Sequence, residues 1–415
     1  MTTLMKDSGI DWIGEIPEGW KVKRVKEVAK WKTGFTPSTK IQEYYNGDDE
    51  WATISDLDKD LKYIENTKNK INGEYFEGKN KIPKNSLLFS FKLSVGQVAF
   101  NKKEMYTNEA ICSFLRSSSI NLNYFYYAAP VFIIKNANKN IYGANILNQE
   151  LISNALTLVP PLETQQKIAE YLDVEVSKLD KQVSLLERKY ELLGDYKDSL
   201  IFETVTQGLD KAVSMKDSGI DWIGKIPEEW RIKRVKDIFN IGRGVVIAAS
   251  ELKKEPDEKN IYPVYSSATE KNGVIGYLED YKFDEDLITW TTDGVNAGTI
   301  FKRSGKFNCT NVCGTLKAKE KKKINLNYFK FMLISQTRFY KRPDINGAKI
   351  MNNEMARIIV SVPPLETQQK IADYLDVEVE KLDKQRELIK RKVELLKEYK
   401  EALIFEVVTG KKEVK

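Results

Sequence analysis

The stretch VPPLETQQKIAEYLDVEV, at residues 159–176, returns at residues 362–379 with a single change, Glu170 to Asp373. A second stretch, MKDSGIDWIG, occurs at residues 5–14 and again, letter for letter, at residues 215–224. A repeat constrains the architecture before any local pattern does, and a period of about 205 residues is far too long for a solenoid. The sequence therefore predicts a tandem duplication of a whole domain-plus-helix unit.

Each repeated Pro-Pro pair is followed by a long proline-free stretch whose apolar residues recur at alternating intervals of four and three. This spacing is typical of a coiled-coil seam and predicts one long helix in each copy. At a rise of 1.5 Å per residue, such a helix would be roughly 60 Å long. Gly208 and Gly410 stand where the C-terminal caps of these helices are expected.

The predicted seams are interrupted at a few positions. Lys197 and Lys400 occupy one equivalent seam position in the two copies, and Arg386 stands where the first copy has Val183. Gly194 should weaken the first helix by about 1 kcal/mol relative to alanine. A single long helix with a narrow apolar stripe cannot bury that stripe alone, so the two helices are expected to pack on each other.

The expected fold class is α+β: two globular mixed α/β domains joined by two long helices that pack as an antiparallel coiled coil, in a pseudo-two-fold tandem duplication. Antiparallel pairing is the natural choice because a whole domain separates the helices along the chain. One domain would then lie at each end of a rigid spacer. The predicted bounds are 1–158 for the first domain, 159–208 for the first long helix, 209–361 for the second domain, and 362–415 for the second long helix with the C-terminus.

Within each copy, the lead ends in IPEGW (residues 16–20) or IPEEW (residues 226–230). The following segment, KVKRVKEVAKW or RIKRVKDIFNI, mixes lysines with β-branched residues and predicts a half-buried strand. Beyond a glycine turn the copies diverge. SLLFSF followed by GQVAF, and LITWTT followed by GTIF, each predict two strands joined by a polar, glycine-containing loop. The repeated INLNYF predicts an asparagine N-cap before a helix.

The composition is that of a folded globular protein, with 41% hydrophobic and 11% aromatic residues in 415. Histidine is absent, which removes Ser–His and Cys–His nucleophile pairs and the usual neutral-pH general base. Cys309 and Cys313 lack the second ligand pair of a structural zinc site, so no metal is expected. No apolar run approaches the roughly 20 residues of a membrane span, and no signal-peptide pattern is present, so a cytoplasmic location is expected.

The inserts interleave lysine with Tyr, Trp, Asn, Ser and Thr, the side chains that contact phosphates and base edges in DNA grooves. For any single residue, a solvated lysine-rich surface is the simpler interpretation. The net charge of +6 permits binding to a polyanion without requiring it. The position of these residues in the divergent parts of a duplicated frame favours nucleic-acid recognition.

Four features together resemble the DNA-specificity subunit of Type I restriction–modification systems, across essentially the whole chain. They are the SGIDWIGEIPEGW-type lead at residues 8–20 and 218–230, the KTGFTPS turn at residues 32–38, the PPLETQQKIA helix start at residues 160–169 and 363–372, and the helix ends LIFETVTQG and LIFEVVTGK. The second insert departs from the first at the turn, where Gly242-Arg-Gly-Val replaces Thr-Pro-Ser. A contact assigned to Thr36 therefore cannot be carried over to the second domain.

The resemblance implies that each insert is a target-recognition domain that reads one half of a bipartite, asymmetric site in double-stranded DNA. The paired helices would set the length of the unread spacer. The near-identical frames would dock two copies of a methyltransferase subunit, which carries S-adenosylmethionine and methylates adenine. Restriction subunits, which use ATP and magnesium, could join the assembly. The chain itself would be non-catalytic, without a cofactor, a metal or a membrane contact.

The base-reading residues are expected in the glycine turns and strand-joining loops. The candidate DNA-contacting residues are Lys32, Thr33, Thr36, Ser55, Lys92 and Asn101 in the first domain, and Arg243, Tyr265, Ser266, Thr292, Asp293 and Lys302 in the second. Two other functions stay open at this point: an assembly protein whose inserts bind proteins, and a nuclease that holds magnesium through carboxylates. The acidic runs at residues 48–49 and 284–286 are the carboxylates that could bind such a metal.

Overall fold

The computed structural model of the protein describes residues 4–57, 61–79, 81–139, 143, 145–345 and 347–414; the predicted outer bounds at residues 1 and 415 lie outside these ranges. The chain forms two compact units, one of residues 1–186 with 392–415 and one of residues 187–391. Each unit therefore combines one insert domain, the start of the long helix that follows it, and the end of the other long helix.

The first unit holds a short-stranded mixed domain. Its strands are β1 (Met5–Asp7), β2 (Glu15–Pro17), β3 (Lys21–Arg24), β4 (Lys30–Thr33), β5 (Asp49–Ala52), β6 (Tyr63–Ile64), β7 (Asn69–Ile71), β8 (Leu87–Ser90), β9 (Val98–Asn101), β10 (Tyr106–Thr107), β11 (Ile111–Leu115), β12 (Asn138–Lys139), β13 (Asn145–Ile146) and β14 (Leu156–Val159). Its helices are α1 (Val25–Val28), α2 (Leu122–Ile134), α3 (Gln149–Asn154) and the start of α4 (Leu162–Gln207).

The second unit repeats this plan. Its strands are β15 (Met215–Asp217), β16 (Lys225–Pro227), β17 (Arg231–Arg234), β18 (Phe239–Arg243), β19 (Tyr262–Tyr265), β20 (Val274–Leu278), β21 (Phe283–Asp284), β22 (Leu287–Thr291), β23 (Asp293–Gly294), β24 (Ile300–Arg303), β25 (Lys306–Cys309), β26 (Cys313–Ala318), β27 (Arg342–Asp344), β28 (Gly347–Lys349) and β29 (Ile359–Val362). Its helices are α5 (Val235–Ile238), α6 (Leu326–Gln336), α7 (Asn352–Arg357) and the start of α8 (Leu365–Val408).

Four strands of the central sheet follow the same order in the two domains despite their divergent sequences. The first runs β4-β11-β8-β9-β6 and the second runs β18-β26-β22-β24. The predicted strand–loop–strand units are the antiparallel pairs β8–β9 and β22–β24, so that prediction is confirmed. Helices α2 and α6 pack on these sheets, and the predicted N-caps are present: Asn121 accepts from Asn123 N at 2.8 Å, and Asn325 accepts from Tyr328 N at 3.0 Å.

The prediction of one strand across KVKRVKEVAKW is wrong. The one-turn helix α1 separates β3 from β4, and α5 separates β17 from β18 in the same way. Val25 and Val28 are both buried, and their spacing of three points both to the core only in a helical turn. Glu27 closes the turn by accepting from Arg24 N at 3.4 Å.

Residues 156–159 form strand β14, so the first long helix, α4, begins only at Leu162. Residues 359–362 form β29 in the same way, and the second long helix, α8, begins at Leu365. As predicted, the two helices end at glycines with left-handed backbone, Gly208 at φ 81° and Gly410 at φ 72°. Within the described residues, no helix is both long and apolar enough to cross a bilayer.

Within each unit, the start of one long helix packs antiparallel to the end of the other. In the first unit Asp180 lies opposite Lys400, while Lys412 lies near the ring of Tyr171, so one residue number falls as the other rises. Residues of the predicted seam are buried in the cores of the units, Leu172, Leu179 and Leu403 in the first and Ile371 and Leu375 in the second. Val407, Ile201 and Val205, which lie outside the predicted stripe, are buried beside them. The predicted apolar seam is therefore confirmed inside each unit.

A repeated tyrosine in each domain bonds to the strand that leads into one long helix and to the end of the other long helix. Tyr124 donates to the Leu158 carbonyl at 3.0 Å, just before α4, and lies 3.5 Å from the carbonyl oxygen of Val408 at the end of α8. Tyr328 does the same in the second unit, 2.9 Å from the Ser361 carbonyl and 3.1 Å from that of Val205. Complete burial raises the pKa of both hydroxyls, so they remain neutral donors.

Candidate nucleic-acid interface

In each domain, one short segment of chain lies against several of the predicted contact residues. In the first domain it is residues 107–110, between β10 and β11, and in the second it is residues 309–312, between β25 and β26. We call these the junction segments. The glycine turn after the first sheet strand and the loop between the paired central strands both contact the junction segment.

In the first domain, the turn fits against the junction segment only because residue 34 is glycine. A Cβ at Gly34 would lie 1.7 Å from the Thr107 carbonyl oxygen, so no other residue allows this approach. Phe35 N donates to that oxygen at 2.9 Å. The Thr36 hydroxyl then donates to the carboxylate of Glu109. This hydrogen bond, together with the charge of Lys92, lowers the pKa of Glu109.

The predicted residues Thr36 and Lys92 are therefore brought together, and Lys92 is exposed on the loop between β8 and β9. Lys32 and Thr33 lie beside them on the edge strand β4, where the Thr33 hydroxyl accepts from Gln149 Nε2 at 3.2 Å. An exposed turn can reach the phosphates or base edges of a duplex without rearrangement. This corner of the first domain thus presents a threonine, a carboxylate and a lysine side by side.

Ser55 lies in a cleft of about 990 Å³ within the first unit. The Ser55 hydroxyl is exposed and 2.9 Å from the Thr53 hydroxyl. The cleft is lined by Thr53, Ile54, Ser55, Leu57, Leu93, Ser94, Gln97, Asn108, Lys397, Lys400 and Glu401. Among the described residues, Gln97 Oε1 is buried without a hydrogen-bond donor, so it could accept one from a ligand. The cleft therefore offers hydroxyl and amide groups of the kind that read base edges.

Two of the predicted contact residues cannot take that role in this fold. Asn101 is fully buried, and its amide donates to the carbonyls of Pro83 and Lys103, both at 2.8 Å, while its Oδ1 accepts from Ser86 N at 2.8 Å. Thr292 is also fully buried and donates to the Val312 carbonyl at 3.0 Å. Both side chains hold loops in place, so we remove them from the DNA-contacting set.

In the second domain, the junction segment again receives the predicted residues. Arg243 donates through Nε to the carbonyl of Asn311. Ser266 Oγ lies 2.9 Å from Thr310 Oγ1, and the Tyr265 carbonyl accepts from Thr310 N at 2.9 Å. These side chains come from β18 and from the loop after β19, so three separate stretches of sequence meet here.

Asp293 begins the short strand β23, within the loop that connects β22 to β24, and pairs with Lys349 in the small sheet β23-β28-β27. Asn296 of the same loop donates to the Ser267 carbonyl at 3.0 Å and so joins it to the loop after β19. Lys302 lies elsewhere. It lines a separate cleft of about 460 Å³ with Asn325, Asn327 and Gln369, beside the start of α8. The structure therefore brings five of the six second-domain predictions together and leaves Lys302 apart.

A buried arginine that no sequence pattern indicated lies beneath this surface. Arg303 is 2% exposed, with its guanidinium carbon 3.6 Å from the centroid of the Tyr265 ring. It donates to the Asn272 carbonyl at 2.8 Å and to Thr289 Oγ1 at 3.2 Å. Burial lowers the pKa of Arg303, which nevertheless stays a cation at neutral pH because arginine titrates far above it. A fixed positive charge thus lies under the second domain's loops.

The groups considered for metal chemistry have other roles. Asp49 pairs with Lys81 at 2.8 Å, and Glu285 pairs with Lys317 at 2.8 Å. Burial raises the pKa of Cys309 to about 12 and that of Cys313 to about 11, so both are neutral thiols. Across the part of the chain that the structure describes, no three Cys, Asp or Glu side chains are placed to hold a metal ion together.

The fold and these surfaces define a class of protein: a duplicated frame that carries two domains of one topology with different polar loop clusters. The family model described as "Type I restriction modification DNA specificity domain" matches the chain twice, at residues 17–193 and 227–398. The chain therefore belongs to this family.

Individual relatives agree with the family assignment. The chain is 37% identical over 216 residues to a Mycoplasma pneumoniae protein named as type I specificity subunit S.MpnORF615P, covering 52% of this chain and 78% of that one. It is 42% identical over 142 residues to the Type I restriction enzyme MpnII specificity subunit of the same organism, covering 34% and 42%. It is 29% identical over 250 residues to the MjaIX specificity subunit of Methanocaldococcus jannaschii, covering 56% and 54%.

Two solved structures share the fold. One, from work on complex assembly and conformational transition of the type I R-M system, gives a TM-score of 0.73 at 14% identity and covers 95% of this chain and 98% of its own. The HsdS subunit from Thermoanaerobacter tengcongensis gives a TM-score of 0.53 at 15% identity, with the same coverage. At these identities the likeness shows the fold alone.

Proposed function

We propose that this chain is the DNA-reading subunit of a Type I restriction–modification complex, in which each insert domain reads one half of a bipartite, asymmetric site. One observation carries the proposal: the same sheet frame presents two different polar loop clusters around equivalent junction segments. A reader of two unlike half-sites needs such a combination of common geometry and different side chains.

The first domain offers Lys32, Thr33, Thr36, Ser55 and Lys92 for contact, and the second offers Arg243, Tyr265, Ser266 and Asp293. The lysines and Arg243 suit phosphate oxygens, and the hydroxyls suit base edges. Lys302 belongs to the proposal only as a phosphate contact, because it lies apart from the other residues of its domain.

The repeated surfaces are proposed to serve a partner that is present twice. The lead, the long-helix starts and the helix ends are near-identical in the two copies. Two copies of a methyltransferase subunit, each carrying S-adenosylmethionine and methylating adenine, would dock on these surfaces. Restriction subunits with ATP and magnesium would join the same assembly. In this proposal the chain itself is non-catalytic and acts in the cytoplasm, and the paired helices set the length of the unread spacer.

The decisive experiment is to map methylated adenines in DNA from cells that express this chain with its partner methyltransferase, and from cells that express the methyltransferase alone. The proposal predicts a single interrupted motif that appears only when the chain is present. Methylation that is unchanged without the chain would overturn the proposal and favour a protein-binding assembly role. Metal-dependent cleavage of DNA by the chain alone would instead support the nuclease alternative.

A further inference from the structure

The loops that join β8 to β9 and β22 to β24 each expose one aliphatic side chain almost completely. Leu93 is 91% exposed and Val295 is 89% exposed. The two loops align as Leu-Ser-Val-Gly and Val-Asn-Ala-Gly, although the second loop is one residue longer. In both, the exposed aliphatic residue stands three residues before a glycine. Thus a costly exposure recurs at one position in domains that otherwise diverge.

The backbone of these loops is held alike in the two domains. Gly96 N donates to the Ser90 carbonyl at 2.8 Å, and Gly298 N donates to the Thr291 carbonyl at 2.8 Å. Ser90 and Thr291 are buried at the ends of the paired strands β8 and β22. Each loop is therefore anchored to its sheet by the same backbone hydrogen bond.

The glycines are needed for this shape. Gly96 has φ 93° and Gly298 has φ 81°, and a Cβ would lie 2.3 Å from Ile134 in the first loop and 2.4 Å from Lys341 in the second. The residue before each glycine points inward, since Val95 packs on the first core and Ala297 is 1% exposed. With the inner aliphatic residue packed against the domain and the glycine fixed, the outer aliphatic residue is held toward solvent.

Leu93 also has a left-handed backbone, with φ 59°, which residues other than glycine, asparagine and aspartate rarely adopt. A leucine that is both exposed and held in this conformation gains nothing for the fold. Strained residues of this kind persist where they serve a function. Leu93 lines the cleft that contains Ser55, and it follows directly on Lys92. Val295 follows the loop residues Asp293 and Gly294 in the second domain's polar cluster.

We propose that Leu93 and Val295 are apolar wedges that press into the base stack of their half-sites and stabilise the opened duplex at the adenine to be methylated. This inference rests on the proposed function. Side chains that read bases must differ between domains that read different sequences. A side chain that keeps its aliphatic character in both domains instead serves a step that both half-sites share.

The shared step is base opening, because an enzyme that modifies a base takes that base out of the stack. Aliphatic side chains on protruding loops are known to unstack base steps and distort the duplex. Flanking lysine and hydroxyl side chains would hold the adjacent backbone while the wedge enters. The wedges are therefore positioning residues, and they touch neither the methyl donor nor the reacting nitrogen.

The test uses the full chain with its methyltransferase partner on one duplex that contains both half-sites, and it follows the methylation of each adenine separately in single turnovers. The variant is Leu93→Asn, which suits the left-handed backbone but removes the apolar surface. The matched control is Leu93→Met, which keeps an apolar tip. Val295→Asn and Val295→Ile form the corresponding pair in the second domain.

We expect Leu93→Asn to leave the recognised motif unchanged and to slow methylation of one adenine by about tenfold or more, because unstacking is no longer assisted. The adenine of the other half-site should react at the wild-type rate, which also shows that the complex is intact. Val295→Asn should have the converse effect. A mismatched base opposite the slowed adenine should restore the rate, because a mispaired base is easier to extrude. Leu93→Met and Val295→Ile should behave as wild type.

Several outcomes would overturn the inference while the proposed function stands. They are wild-type rates at both adenines in the asparagine variants, an altered base preference in one half-site, and a slowed adenine that a mismatch does not restore. An altered base preference would identify Leu93 or Val295 as a base reader. Methylation by the wild-type complex that does not depend on this chain would overturn the proposed function and the wedge together.

Discussion

Lys197 Nζ lies 2.6 Å from Asp383 Oδ1, and this ion pair joins the two long helices within the second unit. Lys400 and Asp180, at the equivalent repeat positions, form the same pair at 2.6 Å in the first unit. The lysines that interrupt the apolar seams therefore reach a carboxylate on the facing helix. Because both pairs are partly exposed, each contributes at most about 1 kcal/mol, and its main effect is on helix register.

Reversing one charge of this pair should weaken the helix pairing. Asp383→Lys places two lysines opposite each other and is expected to lower the free energy of unfolding by about 1 kcal/mol at low salt. Lys197→Asp in the same chain should recover most of that loss. Urea unfolding at low and high salt measures both effects. Asp198→Lys, an exposed change on α4 next to Lys197, is the control, and an equal loss there would show that the pair has no specific role.

A second relationship links Gly194 to Arg386. The Arg386 guanidinium lies 4.1 Å from the centroid of the Tyr190 ring, and a Cβ on Gly194 would come within 3.3 Å of Arg386 Nη2. The glycine thus leaves room for the arginine that replaces the valine of the first copy. Gly194→Ala should stabilise the helix by about 1 kcal/mol in an Arg386→Val background and by clearly less in the wild type. Equal gains in the two backgrounds, measured by urea unfolding, would show that the close approach has no energetic effect.

The long helices, their glycine caps and the duplication could be predicted from sequence because each depends on a local or periodic signal. The break of KVKRVKEVAKW into β3, α1 and β4 could not, because the helical turn is stabilised by burial of Val25 and Val28 in a core that forms from distant strands. The burial of Asn101 and Thr292 depends on distant strands in the same way. The sequence cannot distinguish an asparagine that bonds to one backbone N–H and two backbone carbonyls from an asparagine that reads a base.

The contacts of the junction segments could not be predicted from the sequence, because the residues that surround each segment come from stretches far apart in the chain. Thr36 meets Glu109, and Arg243 meets Asn311, only through the pairing of the sheet strands. The aligned Leu-Ser-Val-Gly and Val-Asn-Ala-Gly loops were visible in the sequence. The sequence does not show which aliphatic residue of each loop faces the solvent, because that requires the solvent exposure that the structure gives.

The buried cysteines of the second domain predict a dependence of stability on alkaline pH. Burial raises the pKa of Cys309 from 9.0 to about 12 and that of Cys313 from 9.0 to about 11. The folded state therefore prefers the neutral thiols. Their contribution to stability is complete below pH 9.0 and is lost as the pH rises toward the folded values. The urea midpoint should fall over this range, and less steeply in the Cys309→Ala, Cys313→Ala variant than in the wild type.

Alkylation gives an independent check on the same thiols. All three cysteines are buried and free, so native protein at neutral pH should react with iodoacetamide far more slowly than protein unfolded in urea. Rapid labelling of Cys309 in the native state would show that the second domain opens readily around the junction segment.

Arg303 should act on the second half-site through the loop that it supports. Arg303→Met removes the donor to the Asn272 carbonyl and to Thr289, and is expected to lower the free energy of unfolding by about 1–3 kcal/mol. Hydrogen exchange should increase in the loop that follows β19. Methylation mapping should show relaxed sequence preference in one half-site only. Lys302→Met, on the opposite face of the same strand, is the control and should leave that loop unchanged.

Ser55 and Asn101 give opposite predictions from similar polar side chains in one domain. Ser55 is exposed in the first domain's cleft, so Ser55→Ala should leave stability unchanged and relax the preference at one base position by about 1–3 kcal/mol. Asn101 is fully buried, so Asn101→Ala should destabilise the fold because it leaves the Ser86 N–H and two carbonyls without their partner. Thermal unfolding and competition binding with single-base variants of the site, both on the intact complex, separate these effects. A base-specific effect from Asn101→Ala in a protein of normal stability would return that residue to the reading surface.

Lys92→Ala should weaken binding to all DNA sequences and reduce the slope of log affinity against log salt concentration by about one, because a phosphate contact carries no sequence information.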